Sequence, residues 1–309
     1  MQAHQIRIGT RGSALALAQA HEVRARLVAA HGWAEEAVEI KVYKTTGDVI
    51  VDRPLSEVGG KGLFTKEIEE ALIAREVDVA VHSMKDMQTV LPDGLGIAAV
   101  LPREDVRDAF ISLKFATLEA LPSGAVVGTS SLRRQAQVRR ARPDLKVIDF
   151  RGNVQTRLRK LEEGIADATF LACAGLNRLG LSDRITSPVP TEVMLPAVAQ
   201  GAIALEIRVE DSATARLIAP LNDQTTALRV TAERAFLTRL EGSCRTAIAG
   251  HAEIEGETMR FSGMTFSPDG AKCFDTVRSG LLREAAALGE TAADDLLSRG
   301  AGAYLGRPS

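Results

Sequence analysis

The sequence predicts an α/β protein with a smaller α+β domain at its C-terminal end, and three observations carry that prediction. At 309 residues the chain exceeds a single ordinary domain of roughly 100–200 residues. Its first two thirds alternate short β-branched runs with helical patterns, the signature of parallel βαβ construction. Its last third changes to alternating runs separated by tight-turn residues, which reads as an antiparallel sheet.

In order along the chain, IRIGT (6–10) reads as a strand, followed by Arg11-Gly12-Ser13 and the helix ALALAQAHEVRARLVAAH. EIKVYKT (39–45) is the next strand, leading through a polar, glycine-rich stretch to the helix LFTKEIEEALIARE. VDVAVHS (77–83) is a strand with Lys85 and Asp86 just past its carboxyl end. The charged run REDVRD after Leu101-Pro102 marks a domain boundary. A second set of units follows. The strand AVVGTS precedes the helix LRRQAQVRRA, and KVIDF leads through Arg151-Gly152-Asn153 to VQTRLRKLEEG. ATFLACAG (168–175) reads as a further strand, with Asn177 and Arg178 beyond it. The helix RVTAERAFLTRLEG then introduces the antiparallel runs, and LLREAAALGETAADDLLSRGA is the helix that covers one face of that sheet. No tandem repeat or low-complexity segment is visible.

Composition removes several function classes. A formal net charge of −2 and only 4% aromatic residues argue against nucleic-acid binding, which needs a basic footprint and stacking platforms. No apolar stretch approaches the ~18 residues of a membrane span. The N-terminal segment has no apolar signal core, so a cytoplasmic location is expected. Three cysteines, at 173, 244 and 273, supply neither a disulfide framework nor a C-x-x-C pair, and the five histidines show no H-E-x-x-H spacing, so no protein-built metal site is expected.

One local pattern recurs: a strand, a short Gly/Ser/Thr turn bearing arginine, then a helix. It occurs at Arg11-Gly12-Ser13, at Ser130-Ser131-Leu132-Arg133-Arg134 and at Arg151-Gly152-Asn153. Open α/β sheets bind ligands beyond the carboxyl ends of their strands, where helix N-termini favour anions. Arg133 and Arg134 stand in the first turn of a helix, where a cation opposes the macrodipole by ~0.3–1 kcal/mol. An anionic ligand would compensate them, and arginine forks pair carboxylates in bidentate fashion. Phosphate is less favoured, because neither a P-loop nor G-x-G-x-x-G is present. The reading is a cleft that gathers arginines around a small polycarboxylate, with Asp86 as the working carboxylate that meets a cationic centre. His82 reads as a packing histidine within its strand, and Cys173 as a buried apolar residue. Cys244, in the small-residue turn E-G-S-C-R-T beside Arg245, has the setting of a reactive thiol.

Taken together, TRGSALALAQA (10–20), GDVI, VGGKGLFTKEIE (58–69), VHSMKDM (81–87), VGTSSLRRQAQ, RGNVQTRL, LPAVAQGAIALE and ALRVTAERAFLTRLEGSC resemble the hydroxymethylbilane synthase, or porphobilinogen deaminase, family in order and over nearly the whole chain. The resemblance implies two periplasmic-binding-protein-like α/β domains around a cleft, residues 1–101 with 201–220 and residues 102–200. A third, α+β domain, 221–309, would carry the key cysteine.

It further implies a dipyrromethane cofactor joined to Cys244 through a thioether. Onto that primer four molecules of porphobilinogen condense with loss of ammonia, and hydrolysis releases linear hydroxymethylbilane. Asp86 matches the family's catalytic aspartate. Lys85, Ser131, Arg133 and Arg134, with Asp86, match its cofactor-binding residues. Arg11, Ser13, Arg151, Arg157, Arg178 and Gln200 match its substrate-binding residues, and Asp48 and Lys61 fall in its loop over the cleft. A monomer is implied. The chain departs from the commoner family pattern at Met87-Gln88, Ala199 and Ala247 without losing a chemical group. A two-lobed carboxylate-binding protein without catalysis is the reading from another class, and the Cys244 turn counts against it.

Overall fold

The computed structural model describes residues 6–49, 62–242, 246–267 and 269–305. In chain order the elements begin β1 (Ile6–Arg11), α1 (Ala14–His31), β2 (Val38–Tyr43), α2 (Thr46–Val49), α3 (Lys66–Ile73), β3 (Val79–Ser83) and β4 (Leu95–Val100). They continue with β5 (Asp108–Ile111), β6 (Val126–Gly128), α4 (Leu132–Ala141), β7 (Lys146–Ile148), α5 (Val154–Glu162), β8 (Ala168–Ala172), α6 (Cys173–Arg178) and β9 (Ser187–Val189). Last come β10 (Ile203–Arg208), α7 (Ser212–Ile218), α8 (Gln224–Arg239), β11 (Ile248–Glu255), β12 (Thr258–Phe266), β13 (Cys273–Leu281) and α9 (Ala285–Ser298). Two compact units result: Met1–Arg103 with Ala202–Ala227, and Glu104–Gly201 with Leu228–Ser309.

The first unit holds a five-stranded sheet in the order β2-β1-β3-β10-β4. β1 runs parallel to β2 and β3, whereas β10 runs antiparallel to β3 and β4. Strands covered on both faces need continuous apolar runs, and β3 supplies one, with Val79 to His82 all buried. Because side chains alternate along a strand, Val79 and Val81 join Val23 and Leu27 of α1 on one face, while Ala80 packs with Ile68 and Leu72 of α3 on the other. Leu27 is fully buried there, so Leu27→Ala would cost about 2–5 kcal/mol in lost burial and cavity. α1 starts where the Ser13 hydroxyl accepts from the Ala16 N–H, and stops at Gly32, whose φ of 65° is the left-handed conformation of a helix end.

The second unit repeats this topology. Its sheet runs β7-β6-β8-β5-β9, with β6 parallel to β7 and β8, and β5 antiparallel to β8 and β9. In each sheet a parallel trio is followed by one antiparallel strand that arrives from elsewhere in the chain, and then by an edge strand. Phe110 and Phe170 meet edge to face across it, with centroids 5.6 Å apart. The same unit carries the antiparallel meander β11-β12-β13. Phe236 of α8 packs on Phe261 of β12, and α9 buries Leu288, Ala292 and Leu296. α8 and α9 touch backbone to backbone at Gly289, where any Cβ would lie 2.1 Å from the Ala232 carbonyl oxygen.

The α/β class and the antiparallel C-terminal sheet are as the sequence predicts. The strand expected over 168–175 ends at Ala172, because the chain turns into α6 at Cys173. β4, β5, β9 and β10 are strands that the sequence reading did not name. The charged run read as a boundary contains the first residue of β5, Asp108, which is fully buried.

Candidate active site

In the first unit, the pairing of β1 with β3 aligns Ile8 with Val79 and Gly9 with Ala80, so the carboxyl ends of both strands emerge side by side. β1 delivers Arg11 and the capping Ser13; β3 delivers Ser83 and then a tight helical turn, Met84–Asp86. Buried Met84 and Met87 anchor that turn at both ends, leaving Lys85 and Asp86 half-buried between them. Arg11, Ser13, Phe64, His82, Ser83 and Asp86 line a pocket of about 50 Å³ at this edge. The Arg11 guanidinium lies over the Phe64 ring, 4.3 Å from its centroid, a cation–π contact that orients its fork. Gln19 Nε2 donates to Ser83 Oγ at 2.8 Å and ties α1 to the end of β3. His82 is buried, as expected, and its Nε2 lies 3.0 Å from Glu206 Oε2.

In the second unit, Ser131 caps α4, with its hydroxyl accepting from the Arg134 N–H. Arg133 and Arg134 are buried and both pair with Asp108, which has no exposed surface. Arg133 Nη1 donates to Asp108 Oδ2 at 2.7 Å and to the Leu195 carbonyl at 2.8 Å. Arg134 donates to Asp108 Oδ1 from Nε at 3.0 Å and from Nη2 at 2.6 Å. Gln200 Nε2 adds a fourth donor at 3.1 Å. The sequence argument that an anionic ligand must compensate this arginine pair is thereby corrected: the chain supplies the anion itself. Burial pushes the Asp108 carboxyl up, but the charges of Arg133 and Arg134 outweigh it and hold it well below the carboxylate range. Burial pulls Arg133 down against the opposing pull of Asp108. Arg133 keeps one buried Nε with no hydrogen-bond partner among the described residues.

The third recurrence of the turn lies after β7. Asn153 caps α5 by accepting from the Thr156 N–H at 2.9 Å, and Arg157 Nε donates to the Gly152 carbonyl at 2.8 Å. Arg151 is half-buried, with Nη1 buried and unpartnered among the described residues. Arg178, at the end of α6, donates to the Gly201 carbonyl at 3.0 Å. Cys173 is buried, and burial with the nearby Asp105 and Asp108 charges pushes its thiol up to about 12. Cys244, Lys61 and the side chain of Asp48 lie outside the described residues. Among the described residues no group of acidic, histidine and cysteine side chains is placed to hold a metal ion.

The geometry is that of several cationic donors at strand ends, with one half-buried carboxylate in a pocket. Two family models match the chain: "Porphobilinogen deaminase, dipyromethane cofactor binding domain" over residues 6–216 and "Porphobilinogen deaminase, C-terminal domain" over residues 227–298. The chain belongs to the porphobilinogen deaminase family. It is 60% identical over 294 residues to the porphobilinogen deaminase of Paracoccus denitrificans, covering 95% of this chain and 94% of that one. The corresponding enzyme of Nitrobacter hamburgensis is 58% identical, covering 94% of this chain and 92% of its own. Among solved structures, a periplasmic binding protein of Salmonella typhimurium aligns at 11% identity with a TM-score of 0.40, covering 73% of this chain and 94% of that one.

The donor set fits a porphobilinogen deaminase cofactor that carries carboxylates. Among the described residues Arg133 and Arg151 each hold a buried N–H without a partner, and Ser131 caps a helix whose N-terminus favours anions. Two groups, Phe64 in the first unit and Asp108 in the second, are not singled out by the sequence. Asp108 was hidden in a charged run, and the only signal for it was the uncompensated charge of the arginine pair. Phe64 belongs in the sequence pattern to a helix, whereas the helix begins at Lys66 and Phe64 lies in the turn before it.

Proposed function

We propose that this porphobilinogen deaminase family member is a hydroxymethylbilane synthase, joining four porphobilinogen molecules head to tail and releasing the linear tetrapyrrole. The observation that carries the reading is Asp86, placed in a pocket beside Arg11 and Ser13, in a chain whose cofactor-domain match spans residues 6–216. Porphobilinogen carries an acetate and a propionate on its ring, so each addition brings two more negative charges. Arg11, Ser13, Arg151, Arg157, Arg178 and Gln200 are assigned to those carboxylates, for which guanidinium forks provide matched pairs of donors. Loss of ammonia from the aminomethyl group leaves a cation delocalised over the pyrrole. Asp86 is assigned to accept from the pyrrole N–H and to stabilise that cation, a fixed charge set where charge develops.

A dipyrromethane on Cys244 is the cofactor of this reading, held by Lys85, Ser131, Arg133, Arg134 and Asp86. When bound, it supplies the pyrrole carbon to which the first unit is joined. Asp48 and Lys61 are assigned to a loop that shields the reaction from water. Three domains, 1–101 with 201–220, 102–200 and 221–309, and a monomeric, cytoplasmic state belong to the same proposal. No helix among the described residues is long and apolar enough to cross a membrane. Intact-mass measurement tests the reading. Protein expressed with porphobilinogen available should exceed the mass of the bare sequence by one dipyrromethane, and a Cys244→Ser variant should not. A wild-type mass equal to the bare sequence, with no ammonia released from porphobilinogen, would overturn it.

A further inference from the structure

The inner wall of the Asp86 pocket carries acid–base groups that this reaction scheme leaves without a task. His82 lines the pocket and, through Nε2, meets Oε2 of Glu206 at 3.0 Å across the β3–β10 pairing. Glu206 is fully buried, and Glu69, from the first turn of α3, is 4% exposed. α3 packs against both β3 and β10, which brings Glu69 into the electrostatic reach of Glu206 and His82. Oε1 of Glu69 and Oε1 of Glu206 are each buried without a hydrogen-bond partner among the described residues.

The other charged groups around the cluster have partners of their own, although Glu67 Oε2 and Arg208 Nε are also buried without a hydrogen-bond partner among the described residues. Glu67, also on α3, accepts from the backbone N–H and hydroxyl of Thr46. Arg208, two residues along β10, is committed to the carbonyls of Leu72 and Val77 and to Asp211. α1 contributes the uncharged Gln19, while Arg11 and Asp86 share the pocket itself. Glu69 and Glu206 are both deeply buried, with one oxygen of each unpartnered among the described residues, and His82 stands between Glu206 and the pocket. Burial raises the Glu69 acid above its ordinary value, the nearby Thr65 hydroxyl opposes that rise, and the charge of Glu206 adds to it. The three groups are not arranged to hold a metal ion.

We infer that Glu69, His82 and Glu206 form a proton-holding cluster at the inner end of the Asp86 pocket, exchanging the proton that each condensation moves. The inference rests on the condensation proposed above. In each addition the aminomethyl C–N bond breaks and its electron pair leaves with ammonia. The α-carbon of the acceptor ring then forms the new C–C bond, and its C–H bond gives up a proton. That proton ends on ammonia as ammonium, so the cycle is balanced, and on its way it passes through the pocket that His82 lines. His82 is the member that faces the pocket, and Glu206 and Glu69 act through it as positioning residues.

Single-turnover consumption of porphobilinogen by the cofactor-loaded protein, measured from pH 5 to pH 10, tests this. His82→Gln should retain the cofactor by intact mass, lower the rate at neutral pH at least tenfold and remove one limb of the pH profile. Glu206→Gln, which removes the carboxylate facing His82 Nε2, should displace that limb while leaving the cofactor in place. Profiles that keep the wild-type shape in both variants, whatever their height, would return the cluster to a packing role. Should either variant fail to fold, ¹⁵N-histidine spectra of the wild-type holoenzyme give the answer. The His82 nitrogens should change protonation when porphobilinogen is added, and unchanged shifts would overturn the inference. A wild-type protein with neither adduct nor turnover refutes the parent reading, an outcome distinct from these.

Discussion

Replacing Asp108 by Asn removes one charge from a buried group without changing its size. Asp108 accepts from Arg133 Nη1 at 2.7 Å, from Arg134 Nε and Nη2 at 3.0 and 2.6 Å, and from Gln200 Nε2 at 3.1 Å. In the variant one of those oxygens becomes an NH₂ group facing a guanidinium donor, and two buried cations lose their counter-charge. Breaking a buried pair by deleting one partner costs about 3–5 kcal/mol, and two cations on one carboxylate place this case at the upper end. A domain is stable by only ~5–15 kcal/mol in total, so the loss is a large fraction.

Urea unfolding measures it. The single tryptophan, Trp33, belongs to the first unit, so far-ultraviolet circular dichroism is the appropriate probe for the second. With a urea slope of about 2–3 kcal/mol per molar, the transition should fall by roughly 1–2 M. The pH dependence follows from the direction of the shift. The folded carboxyl lies below its ordinary value of 3.8, so its contribution is fully present above that value and is lost only as pH falls through the lower folded value. The gap between wild type and variant should therefore stay constant from about pH 5 to pH 9 and close in strong acid. A variant whose midpoint lies within about 0.2 M of wild type, or a gap that closes near neutrality, would refute the reasoning.

Three further outcomes follow. Asp86→Asn should retain the cofactor by intact mass and lose roughly 10²–10³-fold in turnover, the scale of removing one transition-state electrostatic partner; near-normal turnover would remove Asp86 from the chemistry. Burial pushes the Cys173 thiol up to about 12, so it should not alkylate at pH 8 until the chain is unfolded; rapid native labelling there, mapped by peptide mass, would contradict the packing. Gly289→Ala should destabilise the C-terminal sheet by about 1–3 kcal/mol, because the new methyl would sit 2.1 Å from the Ala232 carbonyl oxygen; an unchanged melting temperature would mean that the two helices can part there freely.

The βαβ pattern and the arginine-bearing turns were legible because they are local. Ser13 and Ser131 cap their helices, and Arg11 and Asp86 come together because adjacent parallel strands end side by side. What was not legible depends on pairing between distant segments. Arg133 and Arg134 looked like a site awaiting an anion, and the residue that answers them lies 25 and 26 positions earlier, in a run whose composition says surface. A buried carboxylate cannot be told from a solvated one by its neighbours in sequence; only the bond to its partner distinguishes them.

The same limit explains the strands that were missed, and it exposes an order the sequence conceals. β5 and β10 are the antiparallel members of their sheets, and each is inserted between strands that belong to a different stretch of chain. Each also carries a fully buried acid, Asp108 as the first residue of β5 and Glu206 within β10, and such residues interrupt the apolar run by which a strand is recognised. Both acids lie on the strand next to the parallel trio and both bind a basic side chain, Arg134 or His82, but Asp108 stands opposite the last residue of β8 and Glu206 opposite the second residue of β3. One holds a permanent cation and is fixed as a charge. The other meets an imidazole, the side chain on which the proton-holding proposal rests, so the antiparallel strand carries a fixed ion pair in one sheet and a histidine–carboxylate pair in the other.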